Sequence, residues 1–249
     1  MRFGLLGDKL SHSYSPLIHK FVYDSLNISA TYDLLECSEE ELENYVNMLR
    51  DGYFTGFNVT IPYKKTIMSY LDEIDDKALR IGSVNTVYLK NGKVIGTNTD
   101  YDGFLGTIKF YNIDVVNKDC YVLGTGGASL AISAVLKDLG GRVFFVSRNP
   151  NDKSIGYTDL EEKKIDILVN TTPVGMYPNI NDRVVSEEIA KKSNVVMDII
   201  FNPKQTRLLK DANSKINGLY MLVLQAIKAE EIWLNKVIDV DINELMNRL

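Results

Sequence analysis

Short apolar or β-branched runs alternate with longer amphipathic stretches along the whole chain, a pattern that predicts an α/β architecture with largely parallel sheets. Residues 3–6 read as a strand and 16–26 as a helix, with Leu17, Phe21, Val22 and Leu26 at helical spacing and Pro16 tolerated in the first turn. A second strand covers 31–35, and Ser38 with Glu41 makes a capping box for a helix running to Met48. Residues 57–61 form a third strand. Asn91-Gly92 sits between Val87-Tyr88-Leu89 and Val94-Ile95, which predicts a two-residue hairpin and an antiparallel edge to the first sheet.

The middle of the chain changes character. Residues 120–123 read as a buried strand, 124–127 as a glycine turn, 129–139 as a helix with Leu130, Val135 and Leu136 apolar, and 142–146 as strand again. That succession is a mononucleotide-binding half. Strands at 167–169 and 195–197 extend the same sheet, 221–233 is an apolar helix that belongs to a core, and 242–249 closes the chain as a short helix. No internal repeat, low-complexity run or Pro/Ser-rich linker marks a border, so the borders follow the pattern switches near residue 100 and near Gly218.

Composition narrows the function. At 249 residues the chain buries one large core or two modest ones without staples. Cys37 and Cys120 stand at no metal-ligand or redox spacing, so no disulfide framework or metal site is expected and a reducing compartment is. The apolar run within 1–7 is too short for a signal peptide, and no stretch is long enough to span a bilayer. A net charge of -5 argues against general nucleic-acid affinity and leaves small-molecule chemistry.

Gly124-Thr125-Gly126-Gly127-Ala128, between strand and helix, is where a pyrophosphate would sit, because glycines admit the ligand and a helix N-terminus supplies unsatisfied N–H groups. The competing reading is a tight turn without a ligand. Ser147-Arg148-Asn149 at the end of the next strand lacks the acidic residue that accepts from the ribose hydroxyl of NAD. Arg148 instead offers a planar fork of donors to the 2′-phosphate of NADP, and Lys153 adds a second positive charge.

Four polar segments of the first half resist a purely structural explanation. In Ser11-His12-Ser13-Tyr14-Ser15-Pro16, Ser13 and Ser15 make a carboxylate cradle at a helix N-terminus. Asn58-Val59-Thr60-Ile61-Pro62-Tyr63-Lys64 delivers Asn58, Thr60 and Lys64 to one end of a sheet. Gly82-Ser83-Val84-Asn85-Thr86 and Asn98-Thr99-Asp100 complete the set, and loops at the carboxyl ends of strands are where ligands of open α/β sheets lie. Taken singly, Lys64 is a solvated charge and Asp100 a cap for the helix carrying Phe104 and Ile108; taken together they suit a proton-transfer dyad for alcohol and ketone interconversion. His12 reads as a loop donor and His19 as a partly buried helix residue.

These segments, in this order, resemble the motifs of the shikimate dehydrogenase family: Ser11-His12-Ser13-Tyr14-Ser15-Pro16-Leu17-Ile18-His19, Gly56-Phe57-Asn58-Val59-Thr60-Ile61-Pro62-Tyr63-Lys64, Ile81-Gly82-Ser83-Val84-Asn85-Thr86, Gly96-Thr97-Asn98-Thr99-Asp100, Asn170-Thr171-Thr172-Pro173-Val174-Gly175-Met176 and Met221-Leu222-Val223-Leu224-Gln225-Ala226. The resemblance implies a substrate domain with a mainly parallel mixed sheet (1–100 plus 219–249) and a Rossmann-type NADP-binding domain (101–218), with the active site in the cleft. It implies that Lys64 and Asp100 are the catalytic pair, that Ser13, Ser15, Thr60, Asn85 and Gln225 hold the ring's carboxylate and hydroxyls, and that Thr171 and Met176 lie along the nicotinamide. The implied reaction is reduction of 3-dehydroshikimate to shikimate by NADPH in aromatic amino-acid biosynthesis, in the cytoplasm, by a monomer or homodimer. The chain departs from the family at Leu130, where many members carry Arg, at Phe201, often a tyrosine, and at Glu230, commonly an aromatic. A quinate/shikimate dehydrogenase using NAD and a non-catalytic nucleotide-binding sensor are the alternatives.

Overall fold

The chain, seen here in a computed structural model, is described over residues 1–11 and 13–249; the reading of His12 as a loop donor falls outside them. The first elements are β1 (Arg2–Gly7), α1 (Ser15–Leu26), β2 (Thr31–Glu36), α2 (Leu42–Arg50), β3 (Gly56–Val59), β4 (Glu73–Ile74), α3 (Asp76–Ile81), β5 (Thr86–Lys90) and β6 (Lys93–Thr97). They form one sheet in the order β2-β1-β3-β5-β6-β4. β2, β1 and β3 run parallel, β3, β5 and β6 alternate in direction, and β4 lies parallel to β6.

Local chemistry explains most of these elements. Pro16 opens α1 and Asn27, in the left-handed region, ends it; Ile18, Phe21 and Val22 face inward, but Leu17 points to solvent, one step off the expected apolar stripe. The Ser38 backbone donates to the Glu41 carboxylate at 2.8 Å, and this capping box starts a single tight turn ahead of α2. Asn91 and Gly92 both have positive φ, as a tight hairpin turn requires. The hairpin is not the sheet's edge, however, because β4 pairs outside it. β3 ends at Val59, two residues short of expectation, where the Tyr63 N–H donates back to the Thr60 carbonyl and turns the chain away from the sheet. Leu42, Val46, Leu49, Phe57, Val84 and Val87 share the core of this sheet and α2.

The chain continues through α4 (Asp100–Phe110), β7 (Asp119–Leu123), α5 (Gly127–Asp138), β8 (Arg142–Val146), β9 (Ser154–Ile155), β10 (Ile167–Asn170), α6 (Glu187–Lys192), β11 (Val195–Asp198), α7 (Arg207–Asp211) and β12 (Lys215–Ile216), and returns through α8 (Leu219–Leu234) and α9 (Ile242–Arg248). The second sheet, β12-β11-β10-β7-β8-β9, is parallel throughout. Its strand order reverses at β7, which lies between β8 and β10, so the glycine turn after β7 stands at a topological switch point. Tyr121, Leu123, Leu160, Leu168, Val196 and Leu208 share one of its cores. Two compact units result, Met1–Gly103 with Val223–Leu249 and Phe104–Leu222, and the chain passes from one to the other inside α4 and α8. Among the described residues no helix is long and apolar enough to cross a membrane.

Candidate active site

In the unit made of Met1–Gly103 and Val223–Leu249, strand register gathers the polar segments. Asn58 pairs with Thr86 and Thr86 with Thr97, so the end of β3, the start of β5 and the end of β6 meet at one end of the sheet. The Val84 N–H donates to the Lys64 carbonyl at 2.8 Å and the buried Tyr63 hydroxyl to the Cys37 carbonyl at 2.6 Å, which pins the turn carrying Lys64.

The Lys64 ammonium donates to Asp100 Oδ2, and both side chains are nearly closed off from solvent, 12% and 8% exposed. The other Asp100 oxygen accepts from Asn85 Nδ2 at 2.9 Å, and the same amide reaches Gln225 Oε1 at 3.5 Å. Asn85 Oδ1 accepts from the Thr99 N–H at 2.7 Å and from the Thr86 hydroxyl at 3.0 Å. Asp100 is therefore the first residue of α4 but not its cap; the Asn98 side chain accepts from the Tyr101 N–H instead. A buried carboxylate with an ammonium on one oxygen and an amide on the other has a fixed direction, and so has the ammonium it holds.

The structure thus brings Lys64, Asp100, Asn85 and Gln225 into one cluster. Ser15, buried at the start of α1, takes a backbone bond from its own N–H to the Ser13 hydroxyl at 3.2 Å and interacts with Tyr32. Thr60 sits just beyond β3 with its N–H on the Leu6 carbonyl. No hydrogen bond joins Ser13 or Thr60 to the Lys64 cluster among the described residues. Four members of the network carried no role in the sequence reading: Tyr32, Thr86, Thr99 and Glu230. Motif spacing could have flagged Thr86 and Thr99, but nothing in the sequence points to Tyr32.

In the unit Phe104–Leu222, the second group of candidates lies at the carboxyl ends of β7, β8 and β10. Gly124 has φ +106°, and a side chain there would crowd Thr171 Oγ1, which donates to the Leu123 carbonyl at 2.6 Å. α5 starts at Gly127; Gly126, its N-cap residue, precedes it and Ala128 follows, with open space over Gly126. Beyond β8, Ser147 accepts from the Asn149 N–H at 3.2 Å, and Arg148 is exposed without an ion pair among the described residues. Beyond β10, Asn170 ties the loop: its carbonyl accepts from Thr172, and its amide donates to Asp198 at 3.0 Å. Met176 is exposed at the end of that loop. A helix that begins at the glycine turn, open space over Gly126 and a loop with Arg148 and no carboxylate among Ser147, Arg148 and Asn149 fit a dinucleotide bearing an extra phosphate. Leu130 adds no charge to that set; Arg148 and Lys153, both exposed, are the cations of the segment after β8.

Comparison with known proteins bears on the family. A family model for the shikimate dehydrogenase substrate binding domain matches residues 5–87. A shikimate dehydrogenase (NADP(+)) from Clostridium beijerinckii is 46% identical over 247 residues, 93% of this chain and 91% of that protein. The crystal structure of shikimate dehydrogenase 1 from Peptoclostridium difficile superposes with a TM-score of 0.93 at 42% identity, over 99% of this chain and 97% of that one. The Thermus thermophilus shikimate 5-dehydrogenase solved with NADP(H) and shikimate superposes with a TM-score of 0.88 at 29% identity, over 100% and 97%.

Proposed function

The chain belongs to the shikimate dehydrogenase family, and from that premise we propose that it reversibly reduces 3-dehydroshikimate to shikimate with NADPH in aromatic amino-acid biosynthesis. The observation that carries the reading is the Lys64–Asp100 pair, locked from behind by Asn85 and closed off from solvent beside Gln225.

Bound NADPH supplies the hydride, for which no side chain of the chain is suited. Lys64 Nζ gives a proton to the ketone oxygen as the carbon is reduced, and takes the hydroxyl proton back in the oxidative direction. Asp100 keeps Nζ aimed and offsets its charge in a poorly hydrated site. Ser13, Ser15 and Thr60 receive the ring's carboxylate and hydroxyls together with Asn85 and Gln225. Gly124, Gly126, Gly127 and Ala128 cradle the pyrophosphate against the start of α5, while Ser147, Arg148 and Asn149 take the 2′-phosphate, and Thr171 and Met176 border the nicotinamide. Phe201 offers a ring without a hydroxyl, so one hydrogen bond available to family members with tyrosine is not made here.

Two free, buried cysteines support a reducing cytoplasmic setting; burial pushes the Cys120 thiol up to about 12, which leaves it unreactive. The test is absorbance in the nicotinamide band with purified protein, shikimate or quinate, and NADP+ or NAD+. Reduction of NADP+ with shikimate is the expected result. A preference for NAD+ or quinate places the chain in a catabolic branch, and no turnover in any pairing removes the catalytic reading.

A further inference from the structure

Glu230, on α8, is the most unexpected charged residue of the substrate unit. It is fully buried, and its Oε1 lies 2.6 Å from His19 Nδ1 on α1. The imidazole sits among aromatic rings: stacked on Tyr32 with centroids 3.8 Å apart and planes within 8°, and tilted against Trp233 at 5.6 Å. Trp233 in turn stacks on Phe3 and donates to the Val87 carbonyl at 3.1 Å, so the box is anchored to the sheet.

The box connects to the candidate site through one atom. The Tyr32 hydroxyl donates to Asn58 Oδ1 at 2.8 Å. The Asn58 amide nitrogen then donates to the Asn85 carbonyl at 3.2 Å and to Thr86 Oγ1 at 3.1 Å, and Asn85 holds Asp100. An asparagine side chain has nearly the same shape either way round, so its hydrogen-bond partners alone decide which end is oxygen. The Asn85 backbone carbonyl, which can only accept, keeps the Asn58 nitrogen on its side, and the Tyr32 hydroxyl holds the other end by donating to the oxygen. Burial, reinforced by the Glu230 carboxylate, holds the Tyr32 phenol well above its usual range, so it stays a donor. The ring is placed by the imidazole under it, and the imidazole by Glu230. The same phenol interacts with Ser15, one of the residues assigned to the ring acid.

We propose that the buried His19–Glu230 pair is a positioning device for ring-acid recognition: it holds Tyr32, and Tyr32 orients Asn58 and Ser15 in the substrate site. The proposal rests on the shikimate reading of that site. Glu230 and His19 touch neither substrate nor cofactor; they act through Tyr32, and the step they govern is recognition of the ring acid rather than proton transfer at Lys64.

The experiment compares steady-state kinetics and melting temperature of the full chain with those of Tyr32→Phe, Glu230→Leu and Glu230→Gln. Tyr32→Phe keeps the stack and deletes the donor. It raises KM for shikimate about tenfold, the equivalent of roughly one hydrogen bond, while KM for NADP+ stays within about twofold. Glu230→Leu moves shikimate KM in the same direction, and Glu230→Gln, which keeps an oxygen facing Nδ1, restores it to within about threefold of the parent. The proposal is overturned if shikimate KM is unchanged in Tyr32→Phe or in Glu230→Leu, or if kcat and both KM values degrade together with the melting temperature, the mark of general loosening. Should Glu230→Leu not fold, His19→Gln, which removes the imidazole under Tyr32, takes its place with the same expected rise and the same overturning outcome. A parent chain that does not oxidise shikimate shows instead that the underlying reading has failed, and the proposal falls with it.

Discussion

Each unit of this chain buries an aspartate against an asparagine, and the two pairs do opposite work. Asp100, in the first unit, accepts from Asn85 at 2.9 Å and carries the Lys64 ammonium on its other oxygen. Asp198, in the second, accepts from Asn170 at 3.0 Å, from the Ile200 N–H at 3.1 Å and from the Thr206 hydroxyl at 2.6 Å, with no cation in the set. Burial without a counter-charge pushes the Asp198 carboxyl up to about 6, despite those three donors. The first arrangement holds an ammonium that we propose faces the reacting oxygen; the second knots the loop after β10. What separates the two, given the same amide and carboxylate, is an ammonium closed off from solvent beside the first.

The largest effect comes from removing that cation. Lys64→Ala leaves Asp100 in the condition of Asp198, and turnover falls about 10³-fold in the nicotinamide assay while shikimate affinity changes little. Near-normal turnover would show that the pair is structural too. Arg148→Ala tests where the second unit keeps its positive charge: on an exposed loop, not beside its buried carboxylate. Loss of a charge-assisted bond to phosphate raises KM for NADP+ by about 10-fold to 100-fold and leaves KM for NAD+ unaltered; equal effects on both cofactors would refute the assignment.

Asp198→Asn sharpens the comparison through stability. Because the folded pKa lies above the ordinary carboxylate value of about 4, the folded chain keeps a proton that the unfolded chain has released between about pH 4 and about pH 6. This group's contribution is therefore most favourable below that window and is lost as pH rises through it, by on the order of 2–3 kcal/mol. Denaturant unfolding at several pH values should show that fall in the parent and its absence in Asp198→Asn. Asp166 works the other way. Its carboxyl is held below the usual range, first by the Asp119 N–H and then by Lys164, so its contribution is present above about pH 4 and disappears as pH drops through the lower, folded value.

Legibility in the sequence followed the range of the interactions involved. The Ser38–Glu41 capping box, the Asn91-Gly92 turn and the strand–glycine turn–helix succession from β7 to β8 were all readable, because neighbours in the chain satisfy one another there. The two-residue strands β4, β9 and β12 were not, since so short a run has no period of its own and becomes a strand only by pairing with one already formed. Leu17 was assigned to the buried face of α1 although Ile18 fills it, because a short helix next to a proline leaves its rotation open until the sheet beneath is known.

For the site, the sequence by itself determined the inventory: Lys64, Asp100, Asn85 and Gln225 as groups that can move a proton or grip a polyhydroxylated acid, and Gly124 to Ala128 with Arg148 as groups that can hold a phosphorylated dinucleotide. Those are properties of residue type and local spacing, except for Gln225, which only the family resemblance singles out. Only the tertiary structure decided that Asp100 faces Lys64 instead of capping its own helix, that the Tyr32 hydroxyl donates to Asn58, and that Glu230, out of place as an exposed charge or a core residue, is the buried partner of His19. The physical reason is sequence separation. His19 and Glu230 lie 211 residues apart, so no local pattern records that each satisfies the other until α8 has returned to the first sheet.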